Sequence, residues 1–172
     1  MTGSAMQRHF LELADYNRWA NRRLYRDAAA LPPEASVRDV GVYFASLFAT
    51  LEHILKVDRA WLHLLDGGAL ADLPPMPDVG DLARLTVARE ATDAALIVRV
   101  ESVDEAWLES GFAFSSTLEP WRGLTYRGSR AAMLMHVFNH QTHHRGQAHS
   151  ALSLLGAAPS ALDILVKGML GE

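Results

Sequence analysis

The run SRAAMLMHVFNHQTHHRGQAHSALSLL, residues 129–155, decides how the rest of the chain is read. It contains no proline, opens on a serine able to cap a helix, and is followed by Gly156, a residue suited to ending one. One long helix is therefore predicted over 129–155. Residues four apart on a helix stack on a single face, so His136, His140 and His144 form a ladder that Gln147 prolongs. Met133, Val137, Ala148, Ala151 and Leu155 share the stripe, which turns the ladder toward the core. A buried polar group left alone costs about 1–3 kcal/mol. One divalent cation satisfies two such imidazoles at once.

Two imidazoles at this spacing supply half of a tetrahedral site, so at least one ligand must come from elsewhere. His53 is the best candidate, because it stands in a second apolar helix in line with Ala49, Val57, Ala60 and Leu64. Three neutral imidazoles from two helices, with positions left for water, describe an open catalytic site rather than a closed structural one. Spacing alone leaves His136 and His144 as alternatives. His143, turned about 60° from His140, suits a hydrogen-bond role behind a ligand. His9, His63 and His149 read as structural.

Working outward, residues 11–31 read as a helix with Leu13, Ala14, Asn17, Ala20, Asn21, Leu24 and Ala28 on its core stripe, stopped by Pro32 and Pro33. Asn17 and Asn21 are then either groups behind the metal ligands or a buried polar pair. Ser36 is expected to cap a second helix running to Asp66, which Gly67 and Gly68 terminate. Residues 67–80, with three prolines, form a loop. A third helix is expected over 81–106. Residues 67–122 hold ten acids against four bases, and this acidic run reads as a solvated helix face. Alternation of Phe112 with Phe114 and of Leu124 with Tyr126 suggests a small hairpin. A short terminal helix is expected over 160–170. Four long helices with few strands argue an all-α, four-helix bundle in one domain spanning 1–172.

The 172 residues, 49% hydrophobic and 21% charged, are ordinary globular usage, and a net charge of −4 gives no sign of a nucleic-acid partner. There is no cysteine, which excludes disulfides, cysteine zinc sites and a cysteine nucleophile. The start carries Arg8 and His9 and has no apolar segment of a secretory signal. The longest apolar run, near residues 40–51, falls short of the roughly twenty residues that span a bilayer. A cytoplasmic protein without membrane partners is expected.

The run from Asn139 through His140-Gln-Thr-His-His-Arg-Gly-Gln147 resembles the signature of the DinB/YfiT-like family of metal-dependent proteins. The segments Tyr16-Asn-Arg-Trp-Ala-Asn21, Leu51-Glu-His53 and Asp58-Arg-Ala-Trp61 resemble its first two helices. The resemblance implies a four-helix bundle of up-down-down-up connection, commonly dimeric. It also implies a divalent metal, nickel or zinc, held by His53, His140 and His144 in preference to His136. Related branches are S-transferases and isomerases that use a small thiol cofactor.

The activity expected is therefore thiol transfer to a small-molecule electrophile. Alternatives are a metal-dependent hydrolase and a non-enzymatic metal-binding stress protein. Residue 141 is Gln, not a carboxylate base, and no His-Glu-x-x-His arrangement occurs, which counts against the hydrolase. Arg145 is a candidate clamp for a carboxylate of the thiol cofactor, against a surface or interhelical salt bridge. Gln147 is a candidate to orient a ligand or bound water. Gly146 would be explained by a close helix approach or by access to the site. Trp19, Trp61 and Trp121 read as core or loop anchors. A homodimer is expected, because the face carrying Phe44, Leu47, Phe48, Leu51 and Leu55 adds to the one holding His53. Metal should leave as pH falls below about 6.

Overall fold

The computed structural model describes residues 3–117 and 122–172; Trp121 and the expected turn at Pro120 lie outside them. Helix α1, Ala5–Ala29, begins earlier than its apolar spacing indicates because the Ser4 side chain accepts from the Gln7 N–H. Helix α2 is Leu47–Leu65 and does not start at Ser36. Left-handed backbone at Gly41 (φ 76°) and Ala45 (φ 64°) breaks the chain away from helical geometry before it. Ser46 is the residue that caps it, accepting from the Ala49 N–H at 3.1 Å.

Helix α3, Leu82–Glu101, starts behind Asp81 as expected but ends short of Ala106. Asp104 accepts from the Trp107 N–H and so begins a new short helix, α4, Glu105–Glu109. The hairpin is present as β1, Gly111–Ser115, antiparallel to β2, Thr125–Ser129, with Phe114 opposite Tyr126. Ser129 then caps α5, Arg130–Leu154. Helix α6, Ile164–Leu170, is shorter than expected. Its intended first residue, Ser160, instead donates its N–H (2.7 Å) and hydroxyl (3.1 Å) to the Asp27 carboxylate of α1.

α1 packs on α3 and α5, and α2 packs on α5 and α3, so the four long helices close a ring. Two apolar clusters fill it. Phe10, Leu64, Leu96, Leu134 and Phe138 belong to one, and Leu24, Leu51, Leu55, Leu85 and Leu152 to the other. The sequence positions between them are polar on every helix: Asn17 and Asn21 on α1, Asp58 on α2, Arg89 and Asp93 on α3, Gln141 and Arg145 on α5. All seven are buried.

Several expectations change here. The acidic run is not wholly a solvated face, because Asp93 turns inward to meet Arg89. Arg145 lies in the interior, not on the surface. Leu47, Leu51 and Leu55 are fully buried within the chain, Phe48 is half-buried against the same cluster, and Phe44 precedes the helix, so the face expected to need a partner is largely covered. Open space, not a neighbouring helix, surrounds Gly146. No helix among the described residues is long and apolar enough to cross a membrane.

Candidate metal centre

α2 and α5 carry His53, His140 and His144 to one place. The ligand-capable atoms of the three rings all lie within 4.8 Å of one another, so together they could hold a metal ion. Ring centroids are 4.3 Å apart for His140 and His144, 4.6 Å for His53 and His144, and 5.3 Å for His53 and His140. His136 stays outside the cluster. It is exposed, its ring lies 5.8 Å from His140, and it meets Trp61 edge-on at 5.4 Å. The ladder thus runs from solvent at His136 to the interior at His144.

Burial is the main reason these imidazoles resist protonation, with other histidines adding repulsion. It pulls His53 down to about 4, helped by His144 and Lys56, and His140 down to about 3, helped by His144 and His53. His144 is lowered in the same direction, partly offset by Gln147. Neutral imidazole is the form that ligates. Among the described residues, no acid belongs to the groups that shift the three rings.

The donor set fits a divalent metal. Nδ1 of His140 is buried with no hydrogen-bond partner, the kind of unsatisfied atom that a cation relieves. The Gln147 carboxamide oxygen accepts from His144 Nδ1 at 2.8 Å, so the proton sits on Nδ1 and the Nε2 lone pair is free. The amide nitrogen of Gln147 donates to His143 Nε2 at 3.2 Å. Gln147 therefore fixes the orientation of the His144 ring, and His143 supports Gln147 from behind. Phe44 stacks on His53 at 4.1 Å and lies 5.5 Å from His144, closing one side of the cluster. Sequence periodicity put Phe44 on a face of the second helix apart from His53; it lies instead in the loop before α2 and folds over that ring.

Arg145, the candidate clamp for a cofactor carboxylate, is buried in the polar interior. Its guanidinium donates to Asn17 Oδ1, to Gln141 Oε1 (3.2 Å) and to Thr142 Oγ1 (3.1 Å), and lies over the Tyr16 ring. Asn21 joins α1 to both neighbours, donating to the Asp93 carboxylate (3.0 and 3.1 Å) and to Gln141 Oε1 (3.1 Å). Arg89 contacts Asp58 at 2.5 Å and Asp93 at 2.9 Å. Burial opposes the Arg89 charge, but Asp93 and Asp58 outweigh it and raise its pKa, while burial pushes Asp58 up to about 7. Two guanidinium groups thus share this buried layer with two carboxyl groups, and Arg89 pairs with both carboxyls. Asp58 is the residue that a closer reading of α2 could have caught: an acid in helical register with Leu51, Ile54 and Leu55 on the buried face.

His63 bonds to Asp72 at 2.6 Å and His149 to the Ser160 carbonyl at 3.2 Å, both structural roles. Trp19 is buried, and Trp61 is half-buried between Phe114 and His136.

The sequence profile described as the DinB family matches residues 6–169. The chain is also similar to Protein DinB of Bacillus subtilis (strain 168), at 26% identity over 156 residues that cover 88% of this chain and 89% of that protein.

Proposed function

The chain belongs to the DinB family, and from that premise we propose that it is a divalent-metal-dependent S-transferase built on a four-helix bundle of up-down-down-up connection. Zinc or nickel is held by His53, His140 and His144, and a small thiol cofactor is the nucleophile delivered to a small-molecule electrophile. The observation that carries this reading is the donor set, three neutral imidazoles that no carboxylate joins among the described residues. When bound, the metal would lower the pKa of a thiol and favour thiolate at neutral pH.

The chain's own residues supply the rest. Neutral imidazoles leave the full positive charge of a dication in place, which favours an anionic sulfur over neutral water. Gln147 holds His144 in the tautomer that ligates. Phe44 excludes water from one side of the rings. Among the described residues no carboxylate joins the cluster, so the base that metal-dependent hydrolysis normally uses is missing.

The test starts with elemental analysis of untagged protein. One divalent ion per chain is expected, with loss in His53→Ala and in the His140→Ala, His144→Ala double variant. Full occupancy in the double variant refutes the ligand assignment. Metal-loaded protein is then offered an electrophile with a panel of low-molecular-weight thiols. Hydrolysis of esters or amides in a His53-dependent way, with no thiol supporting turnover, replaces the transferase by a hydrolase. Metal-dependent stability without any turnover leaves a binding protein.

A further inference from the structure

Away from the histidines, a cavity of about 580 Å³ opens between α1, α3 and α6, within the volume range of small-molecule sites. Six basic and four acidic side chains line it, and two of the basic ones also reach acids just behind the lining, Arg26 to Asp27 at 3.6 Å and Arg89 to Asp58 at 2.5 Å. The rim carries Arg22 and Arg26, whose side chains are 60% and 64% exposed. The floor belongs to the buried polar layer. Arg89 and Asn21 line the cavity while each is 1% exposed, and Arg89 Nε and Asn21 Oδ1 have no hydrogen-bond partner. Buried polar atoms are seldom left in that state without a ligand or water to meet them.

The protein places a carboxylate of its own in this cavity. The Trp19 indole N–H donates to Glu172 Oε2 at 2.6 Å, and Arg23, stacked over the Trp19 ring, stands 3.7 Å from the same oxygen. Lys167 donates to the Glu172 carbonyl at 2.7 Å. An indole donor and a pre-stacked guanidinium form a recognition point for a carboxylate, and beyond it lie further cations and unmet polar atoms. We propose that this cavity is a second ligand site, distinct from the histidine cluster, that takes a small organic dicarboxylate, and that Glu172 occupies one carboxylate position until the ligand displaces it.

The probe is glutarate, a weak chelator, titrated calorimetrically into metal-loaded full-length protein. Saturable binding is expected in the parent. Glu172→Gln removes the competing carboxylate and should tighten binding about tenfold, whereas Arg22→Gln with Arg26→Gln should weaken it about tenfold or more. The three substituted side chains are well exposed, so folding and metal content should be unchanged. Absence of saturable heat in both the parent and Glu172→Gln at 10 mM-scale glutarate (roughly the weakest affinity of interest) overturns the proposal. So does binding that is indifferent to the arginine pair. Neither result bears on the metal centre, which is judged by metal content and thiol transfer.

Discussion

Asp93→Asn changes a carboxylate to a carboxamide of the same shape inside the polar layer, and its cost can be worked from the contacts. Asp93 accepts from Asn17 (3.2 Å) and Asn21 (3.0 and 3.1 Å) and pairs with Arg89 at 2.9 Å. The substitution leaves Arg89 and Arg145 against Asp58 alone, a net buried positive charge. It also turns one acceptor oxygen into a donor facing other donors. Breaking a buried ion pair by removing one partner costs about 3–5 kcal/mol. For a domain of this size each kcal/mol moves the melting temperature by about 2–4 °C, so a fall of about 6–20 °C is expected. Thermal unfolding followed by circular dichroism at pH 7, with chelator present, measures it. Glu90→Gln on the same helix is the control, since its pair with Arg22 is 3.7 Å long and both side chains are more than half exposed; a change of about 2 °C or less is expected there. Arg89→Met combined with Asp93→Asn should be less than additive, because the two share one network. A melting temperature for Asp93→Asn within 2 °C of the parent (about the size of the control effect) would refute the claim that this layer is a balanced ionic core.

The depressed histidines predict two pH effects. A histidine whose folded pKa lies below its unfolded value of about 6.5 binds more protons when unfolded. The two histidines' contribution to the stability of the metal-free protein should therefore be complete above about pH 6.5 and lost as pH falls toward about 4 for His53 and about 3 for His140. Asp58 contributes in the opposite sense, because its raised pKa of about 7 favours the folded state as pH falls. Denaturant titrations of the parent and of His53→Ala across about pH 3–8 would separate the two. Metal binding to the folded chain should meet proton competition at lower pH than the sequence-based value of about 6: an ordinary histidine would lose about thirtyfold in affinity at pH 5, and a much smaller loss is expected here by equilibrium dialysis. Gln147→Ala removes the acceptor for His144 Nδ1 and should weaken metal affinity about 10–100-fold, with the unfolding midpoint of the metal-free protein little changed; unchanged affinity would show that the hydrogen bond orients nothing.

The long helices, the hairpin and the histidine ladder were legible because each depends on local pattern: apolar spacing, a capping residue, alternation, a four-residue repeat. The starts of α2 and α6 were not. Ser36 and Ser46 are both plausible caps, and the choice rests on left-handed backbone at Gly41 and Ala45, the second of which no composition rule marks. Ser160 looked like a helix start and instead bonds to Asp27, 133 positions away. Arg89 and Asp93 show the same limit. Their four-residue spacing suits an exposed ion pair as well as a buried one, and only Asp58 and the two asparagines facing them decide the matter.

The polar layer and the metal centre are two faces of the same helical turns. Gln141 follows His140, and Arg145 follows His144, so each of these two histidines on α5 has beside it a residue bonded to α1. Asn17 and Asn21 carry the connection to Asp93 on α3, and Arg89 passes it to Asp58 on α2, five residues beyond His53. Apolar contacts are non-directional, so a ring of leucine-rich helices tolerates a helix that slides or turns about its axis. Directional hydrogen bonds do not. Advancing α5 by one residue would turn it by about 100°, taking Gln141 and Arg145 off their partners and His140 and His144 away from His53 in the same movement. The bonds that fix the rotation of the four helices thereby fix the separation of the three imidazoles, and this gives a physical reason for ions to occupy a core where leucines would pack.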